Sequence, residues 1–344
     1  MPLKEKEFRS RLEAFIADGA GAPARITALD RLSGGALQEN WLIDVEIDGG
    51  AFSGGQRLVM RTSPPQVMAD SLPRSAEYTL LKVAFEAGVT VPEPLWLCRD
   101  AGVIGKEFFV MRRVPGVSLG QKIVRDPAFD GVREALAERL SEELARIHTI
   151  RPGQADLDFL DLPEPTPALY AVATYRAVLD RHPDPHPVLE WGLRWLEKEA
   201  PPAGEVTLCH RDFRTGNYLV DPKAKGKGGL TGIIDWEFSG WGDPMEDIGF
   251  FCSKSWRFRA DDRPAGGLAR RQVFYESYER ASGRAIDPEV VRYWEAMANM
   301  RWAVIALQQA QRHLSGIEAS LELAAIGRRT AEMELEILLL TDAT

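Results

Sequence analysis

The chain has 344 residues, enough for two lobes or one large domain, and 51 acidic against 42 basic side chains give it a formal charge of −9. That balance excludes nonspecific nucleic-acid binding, which needs a net basic surface, and 45% hydrophobic with 27% charged residues describes a globular chain rather than a disordered one. Cys98, Cys209 and Cys252 are scattered with no CxxC pair, which excludes a disulfide framework and a cysteine-based zinc site and fits a reducing cytoplasm. The charged N-terminus lacks the apolar core of a signal peptide. The run 335–340 is broken by Glu336 and is too short to span a bilayer. A soluble cytoplasmic protein with neither nucleic acid nor membrane as partner is expected.

In chain order, Phe8, Leu12, Phe15 and Ile16 at helical spacing predict a leading helix over 4–18. The alternating run 41–47, a Gly-rich turn at 49–55 and a second β-rich run 57–61 read as a hairpin. Residues 75–87 form an amphipathic helix closed by Gly88, and 91–96 and 107–111 are extended. The stretch 112–116, with Pro115 and Gly116, reads as a hinge. Beyond it lie a helix over 133–148, proline punctuation at 163–167 and 183–187, and a helix over 188–199. One β-like island (217–220, a Lys/Gly turn, 230–235) precedes a helical remainder from 269. The reading is an α+β chain: a β-rich N-terminal lobe over 1–111, the hinge at 112–116 and a mainly helical C-terminal lobe over 117–344.

The sharpest chemical signal is His210-Arg211-Asp212-Phe213-Arg214-Thr215-Gly216-Asn217, followed after a predicted hairpin by Ile234-Asp235-Trp236-Glu237. Asp212 can orient a hydroxyl and accept its proton, while the Asn217 amide oxygen and the Asp235 carboxylate are hard oxygen ligands suited to Mg²⁺ on a nucleoside triphosphate. The spacing H-R-D-x-x-x-x-N is that of a kinase catalytic loop. Gly34-Gly35 fits a turn whose backbone N–H groups approach phosphate.

With these motifs the chain resembles the aminoglycoside phosphotransferase-like branch of the protein-kinase-like superfamily, from about residue 28 to 330. The resemblance implies a two-lobed kinase-like fold with its active site in the interlobe cleft. It implies ATP and Mg²⁺ as cofactors, and transfer of the ATP γ-phosphate to a hydroxyl of a small molecule. It makes Asp212 the base, Asn217 and Asp235 the metal ligands, and Asp247, in Gly242-Asp-Pro-Met-Glu-Asp247, a clamp on the catalytic loop together with the structural His210. Arg61 takes the place of the usual phosphate-binding Lys, Glu77 that of its helix partner, and backbone groups from Met111 to Val114 face adenine. The Arg-for-Lys exchange matches the subfamily related to the kinase-like domain of certain acyl-CoA dehydrogenases. Arg211 stands where the branch usually has Gly. For Arg214 two readings stand: a fork reaching the transferring phosphoryl group, or a plain salt-bridged arginine.

Only twelve residues separate Asp235 from Asp247, too few for a protein kinase activation segment, and no G-x-G-x-x-G unit supports nicotinamide binding. The lysines at 223, 225 and 227 read as a solvated turn, His148 as a satisfied structural histidine, and His182/His186 as no metal pair, because prolines forbid a helix there. For the acceptor, Glu237, Trp256, Tyr293, Met297 and Arg301 are the candidate contacts. The last three, with Trp294 and Trp302, share a helical stripe that reads either as core or as a partly apolar, cationic pocket. Residues 251–344 carry equal numbers of acidic and basic side chains. A neutral or anionic acceptor, such as a hydroxylated acid or acyl thioester, is therefore expected. An aminoglycoside O-phosphotransferase and a catalytically weak, nucleotide-binding pseudokinase stand as alternatives.

Overall fold

A computed structural model describes residues 5–32, 39–63, 71–154 and 156–341. The chain divides into two compact units, 1–116 with 231–238, and 117–230 with 239–344. The first unit is built on one antiparallel sheet. Helix α1 (Glu5–Ala20) leads into β1 (Ala24–Arg31), β2 (Glu39–Ile47) and β3 (Gly54–Thr62). Then come α2 (Arg74–Glu86), β4 (Pro94–Cys98), the single turn α3 (Ala101–Ile104) and β5 (Phe108–Arg112), with strand order β1-β2-β3-β5-β4.

Alternation decides the faces of this sheet. Ile43, Val45 and Ile47 of β2, Leu58 and Met60 of β3, and Phe108 and Val110 of β5 point one way and bury against Leu12 and Ile16 of α1. The positions between them face α2. There Arg61 sits opposite Phe109 in the β3–β5 register, and the Phe109 ring lies 5.8 Å from that of Tyr78 on α2. A one-residue slip would send Arg61 into the apolar core.

The first unit also takes in 231–238, a stretch expected in the C-terminal lobe. The Ile233 N–H donates to the Thr90 carbonyl at 2.8 Å, and the Leu72 N–H to that of Glu237 at 2.9 Å.

The second unit comprises α4 (Gly120–Arg125), α5 (Arg133–Ile147), α6 (Pro167–Leu179), α7 (Pro187–Lys198), β6 (Thr207–Cys209), β7 (Tyr218–Val220), the start of β8 (Leu230–Ile233), β9 (Gly240–Gly242), α8 (Pro244–Cys252), α9 (Arg271–Ser282), α10 (Pro288–Leu314), α11 (Leu321–Gly327) and α12 (Thr330–Thr341). The long α10 is its spine, packed by α7, α8, α11 and α12, and α5 lies on α9. A Cβ on Gly249 of α8 would come within 2.7 Å of the Trp294 backbone, so the glycine sets the close approach of α8 to α10. Strands β6 and β9 pair antiparallel, Leu208 opposite Trp241. That short ladder ends at Cys209 on one side, immediately before His210. On the other it ends at Gly242, immediately before Asp243, which caps α8 by accepting the Met245 N–H at 2.8 Å. The ladder thereby delivers the first turn of α8 to the loop that follows β6.

Candidate active site

In the first unit two arginines and three carboxylates form one buried network. Arg61, 5% exposed, donates from Nε to Glu77 Oε2 at 2.9 Å and from Nη2 to Asp235 Oδ1 at 2.8 Å. Arg74, 1% exposed, pairs with Glu77 through Nη1 and donates from Nη2 to Glu237 Oε2 at 2.7 Å. Ser71 also donates to that Glu237 oxygen at 2.7 Å. Burial works against charge on Arg61, yet Glu77, Asp235 and Glu237 raise its pKa above the ordinary arginine value. Burial likewise raises the Glu77 carboxyl against the pull of Arg61 and Arg74. Glu237, a candidate acceptor contact by sequence, is thus held by Arg74 and Ser71. Arg74 carries no motif. Only its place one turn before Glu77, with α2 packed on the sheet, reveals it.

Asp235 has a left-handed backbone, φ 74°, a conformation that costs a non-glycine residue about 1–2 kcal/mol and points to a surrounding structure that over-determines it. Met111 lies within β5 opposite Val59, and the Val114 side chain abuts Gly232. Gly34 and Gly35 lie outside the described residues.

In the second unit the loop after β6 is fastened from below. Asp247, fully buried in the first turn of α8, accepts the His210 N–H on Oδ2 and the Arg211 N–H on Oδ1, both at 2.7 Å. Asp243, four residues earlier, is the residue that caps the helix. Burial alone would raise the Asp247 carboxyl. The hydrogen bond and charge of His148, with the charge and backbone N–H of His210, instead hold it below the usual carboxylate range. His148 is itself buried, Nδ1 2.8 Å from the Tyr278 hydroxyl and Nε2 3.3 Å from Asp247.

Asp212 follows with its carboxylate gripped on both oxygens. Arg214 Nε donates to Oδ1 at 3.2 Å, and Asn217 Nδ2 donates to Oδ2 and also to the Asp212 carbonyl, the latter at 3.0 Å. With its nitrogen committed in this way, Asn217 keeps Oδ1, an acceptor oxygen, as a ligand for a cation. The tight return from Arg214 to Asn217 uses Gly216 at φ 121°, a backbone angle side chains rarely adopt. Asp212 retains 13% of its side-chain exposure, accessible yet oriented.

Arg214 also lies over the Trp256 ring, its guanidinium carbon 4.4 Å from the centroid. Trp256 in turn packs on Phe250 and Trp302 at 5.7 and 5.3 Å, Arg301 stands 5.4 Å over Phe250, and Arg329 stands 5.9 Å over Trp302. Arg301 donates through Nη1 to the Arg211 carbonyl. The structure therefore brings Trp256 and Arg301 together with the Asp212 loop. Tyr293 it turns elsewhere, its hydroxyl donating to the Leu196 carbonyl at 3.0 Å, its ring stacked on Trp195. Met297 is buried on the same helix. Of the turn lysines, all exposed, Lys227 pairs with Glu138 and Glu142 at 2.9 and 2.8 Å.

A five-stranded antiparallel sheet carrying a buried Arg–Glu pair, and a helical unit carrying an H-R-D-x-x-x-x-N loop, together define a kinase-like α+β phosphotransferase fold. The chain is 22% identical to a candidate aminoglycoside phosphotransferase of Ralstonia eutropha, with a TM-score of 0.77 over 97% of this chain and 98% of the other. It is 19% identical, with a TM-score of 0.55 over 94% and 98% of the two chains, to a mutant aminoglycoside phosphotransferase in complex with ADP and hygromycin B. Both are likenesses of fold. Acyl-CoA dehydrogenase family member 10 of Mus musculus is 28% identical over 296 residues, 81% of this chain and 26% of that protein, so the chain spans about a quarter of the relative's length. Residues 29–286 match the phosphotransferase enzyme family, and the chain belongs to it. Among the described residues no helix is long and apolar enough to cross a membrane.

Proposed function

We propose that this protein is an ATP-dependent small-molecule kinase of the cytoplasm, transferring the γ-phosphate of ATP to a hydroxyl of a neutral or anionic acceptor such as a hydroxylated acid or acyl thioester. The observation that carries the reading is Asp212, accessible, fixed on both carboxylate oxygens and mounted on a loop pinned by Asp247. In the reaction Asp212 orients the acceptor hydroxyl and takes its proton as the new O–P bond forms and the bond from the γ-phosphorus to the ADP oxygen breaks. Arg61, steadied by Glu77, offers its charge to the nucleotide phosphates, and the backbone from Met111 to Val114 meets adenine. The donor set of Asn217 Oδ1 and the Asp235 carboxylate is all oxygen, as Mg²⁺ requires. When bound, the metal supplies positive charge to the phosphate oxygens.

The choice of acceptor rests on the groups around Asp212. Arg211, Arg214 and Arg301 match Asp212, Glu246 and the buried Asp247 in number there, and Arg214 and Arg301 lie against aromatic rings. A polycationic aminoglycoside would meet like charge at those two arginines, whereas an acidic acceptor with an apolar portion would not. ADP release from MgATP, measured across hydroxy acids, hydroxyacyl thioesters and kanamycin-type aminoglycosides, tests this. Turnover with the acidic acceptors is expected. Turnover with aminoglycosides alone would replace the acceptor class, and nucleotide binding without turnover on any hydroxyl compound would make the chain a pseudokinase.

A further inference from the structure

Arg211 adopts a left-handed backbone, φ 61°, directly before the proposed base. A side chain there costs about 1–2 kcal/mol, a cost glycine avoids, so something must hold it. Four contacts do. The Arg211 N–H is accepted by Asp247, and its carbonyl accepts from Arg301. Its guanidinium donates from Nη2 to the Trp241 carbonyl at 2.6 Å, and its Nε stands 3.6 Å from Glu246 Oε1.

Strand β9 is shaped for the last two. A Cβ on Gly240 would lie 2.5 Å from Arg211 Nη1, and a Cβ on Gly242 would lie 2.6 Å from Glu246 Oε2. Gly240-Trp241-Gly242 is thus a backbone slot that leaves room for the guanidinium on one side and the carboxylate on the other.

We propose that Glu246 is a positioning residue of the phosphotransfer site, holding the Arg211 side chain in the β9 slot and through it fixing the left-handed turn that aims Asp212. Glu246 touches neither the nucleotide nor the acceptor in this scheme. It acts through Arg211, and its importance exists only because position 211 is not glycine. The proposal rests on the reading of Asp212 as base for its catalytic consequence, but its structural core concerns the loop alone.

Hydrogen exchange of the peptide spanning 208–217 separates the two. At position 211 itself, Arg211→Ala keeps the strained backbone without its two side-chain tethers and should exchange roughly tenfold faster than the parent, whereas Arg211→Gly should stay within about twofold. Glu246→Gln should accelerate exchange by roughly tenfold in the parent and by less than about twofold beside Arg211→Gly. With an accepted acceptor in hand, the same Glu246→Gln should lower kcat in parallel and leave the KM for ATP unmoved, and Arg211→Gly should remove that defect. Equal exchange in Arg211→Ala and Arg211→Gly overturns the proposal, and so does an equal effect of Glu246→Gln in both backgrounds. Absence of phosphotransfer from the parent protein overturns the kinase reading and leaves the exchange comparison intact.

Discussion

Replacing Asp247 by Asn tests how firmly the loop of the proposed base is anchored. The substitution preserves shape and removes charge. In the parent each Asp247 oxygen accepts a backbone N–H at 2.7 Å with no solvent exposure. Charge-assisted bonds of this kind contribute about 1.5–3 kcal/mol each. An amide can offer one carbonyl oxygen. Its NH₂ must then face a second N–H, leaving a buried donor unsatisfied at a further cost of about 1–3 kcal/mol. The expected loss is about 3–5 kcal/mol, the range seen when one member of a buried charged pair is removed. Equilibrium urea denaturation measures it, with the exposed Asp261→Asn as control. Nucleotide affinity should change little, because Asp247 acts on the loop of the proposed base. A loss under about 1 kcal/mol would show that the two short bonds contribute little and refute the account of the anchor.

Arg74→Leu should destabilise the protein by about 3–5 kcal/mol in the same assay, because Glu77 and Glu237 lose a buried cation they share. A neutral result would mean that Arg61 alone balances both. Arg61→Lys should raise the KM for ATP, because one ammonium cannot reproduce a fork that reaches Glu77 and Asp235 from different nitrogens, and unchanged nucleotide kinetics would count against that role. The stability gap between the parent and Asp247→Asn should also depend on pH. The folded-state pKa of Asp247 is lowered from its ordinary 3.8, so its contribution is fully present above that value and is lost as pH falls through the folded one. Denaturation midpoints from pH 7 down to 3 should therefore converge at the acid end, and a gap that widened there would contradict the sign.

The parts legible in the sequence were those in which chemistry and spacing coincide. His210 to Asn217 announces itself because base, amide and basic fork fall in eight consecutive residues. The β2–β3 hairpin and α2 carry clean periods of two and 3.6. Other elements lacked such signals. Strand β1 buries only Ile26, so it shows no alternation. Strands β6 and β9 are three residues each and wholly buried, too short to display a period. Helix α6 was hidden behind its own start signal. Pro167 at its first turn and Thr166, whose hydroxyl accepts the Leu169 N–H, read as loop punctuation although together they open a helix.

Within the site the same division holds. Arg61 and Glu77, sixteen residues apart, could be paired from a strand, a helix and a family pattern. Arg74 and Glu246 could not. Glu237 and Arg211 are brought to them by packing across long sequence separations, although Glu77 lies one turn from Arg74, and neither residue stands in a position whose chemistry is fixed in advance. By the family resemblance Arg211 stands where glycine is usual, but only the backbone angle, φ 61°, shows what a side chain there requires.

The central claim is that Asp212 performs proton removal for transfer from ATP. The most direct measurement compares the parent with Asp212→Asn for transfer of radiolabelled γ-phosphate to the best acceptor of the panel, alongside equilibrium binding of MgATP to both. The account predicts that transfer falls by about 10²–10⁴-fold, the usual worth of a positioned base, while MgATP affinity stays close to the parent's. Transfer by Asp212→Asn at a rate near that of the parent would contradict it.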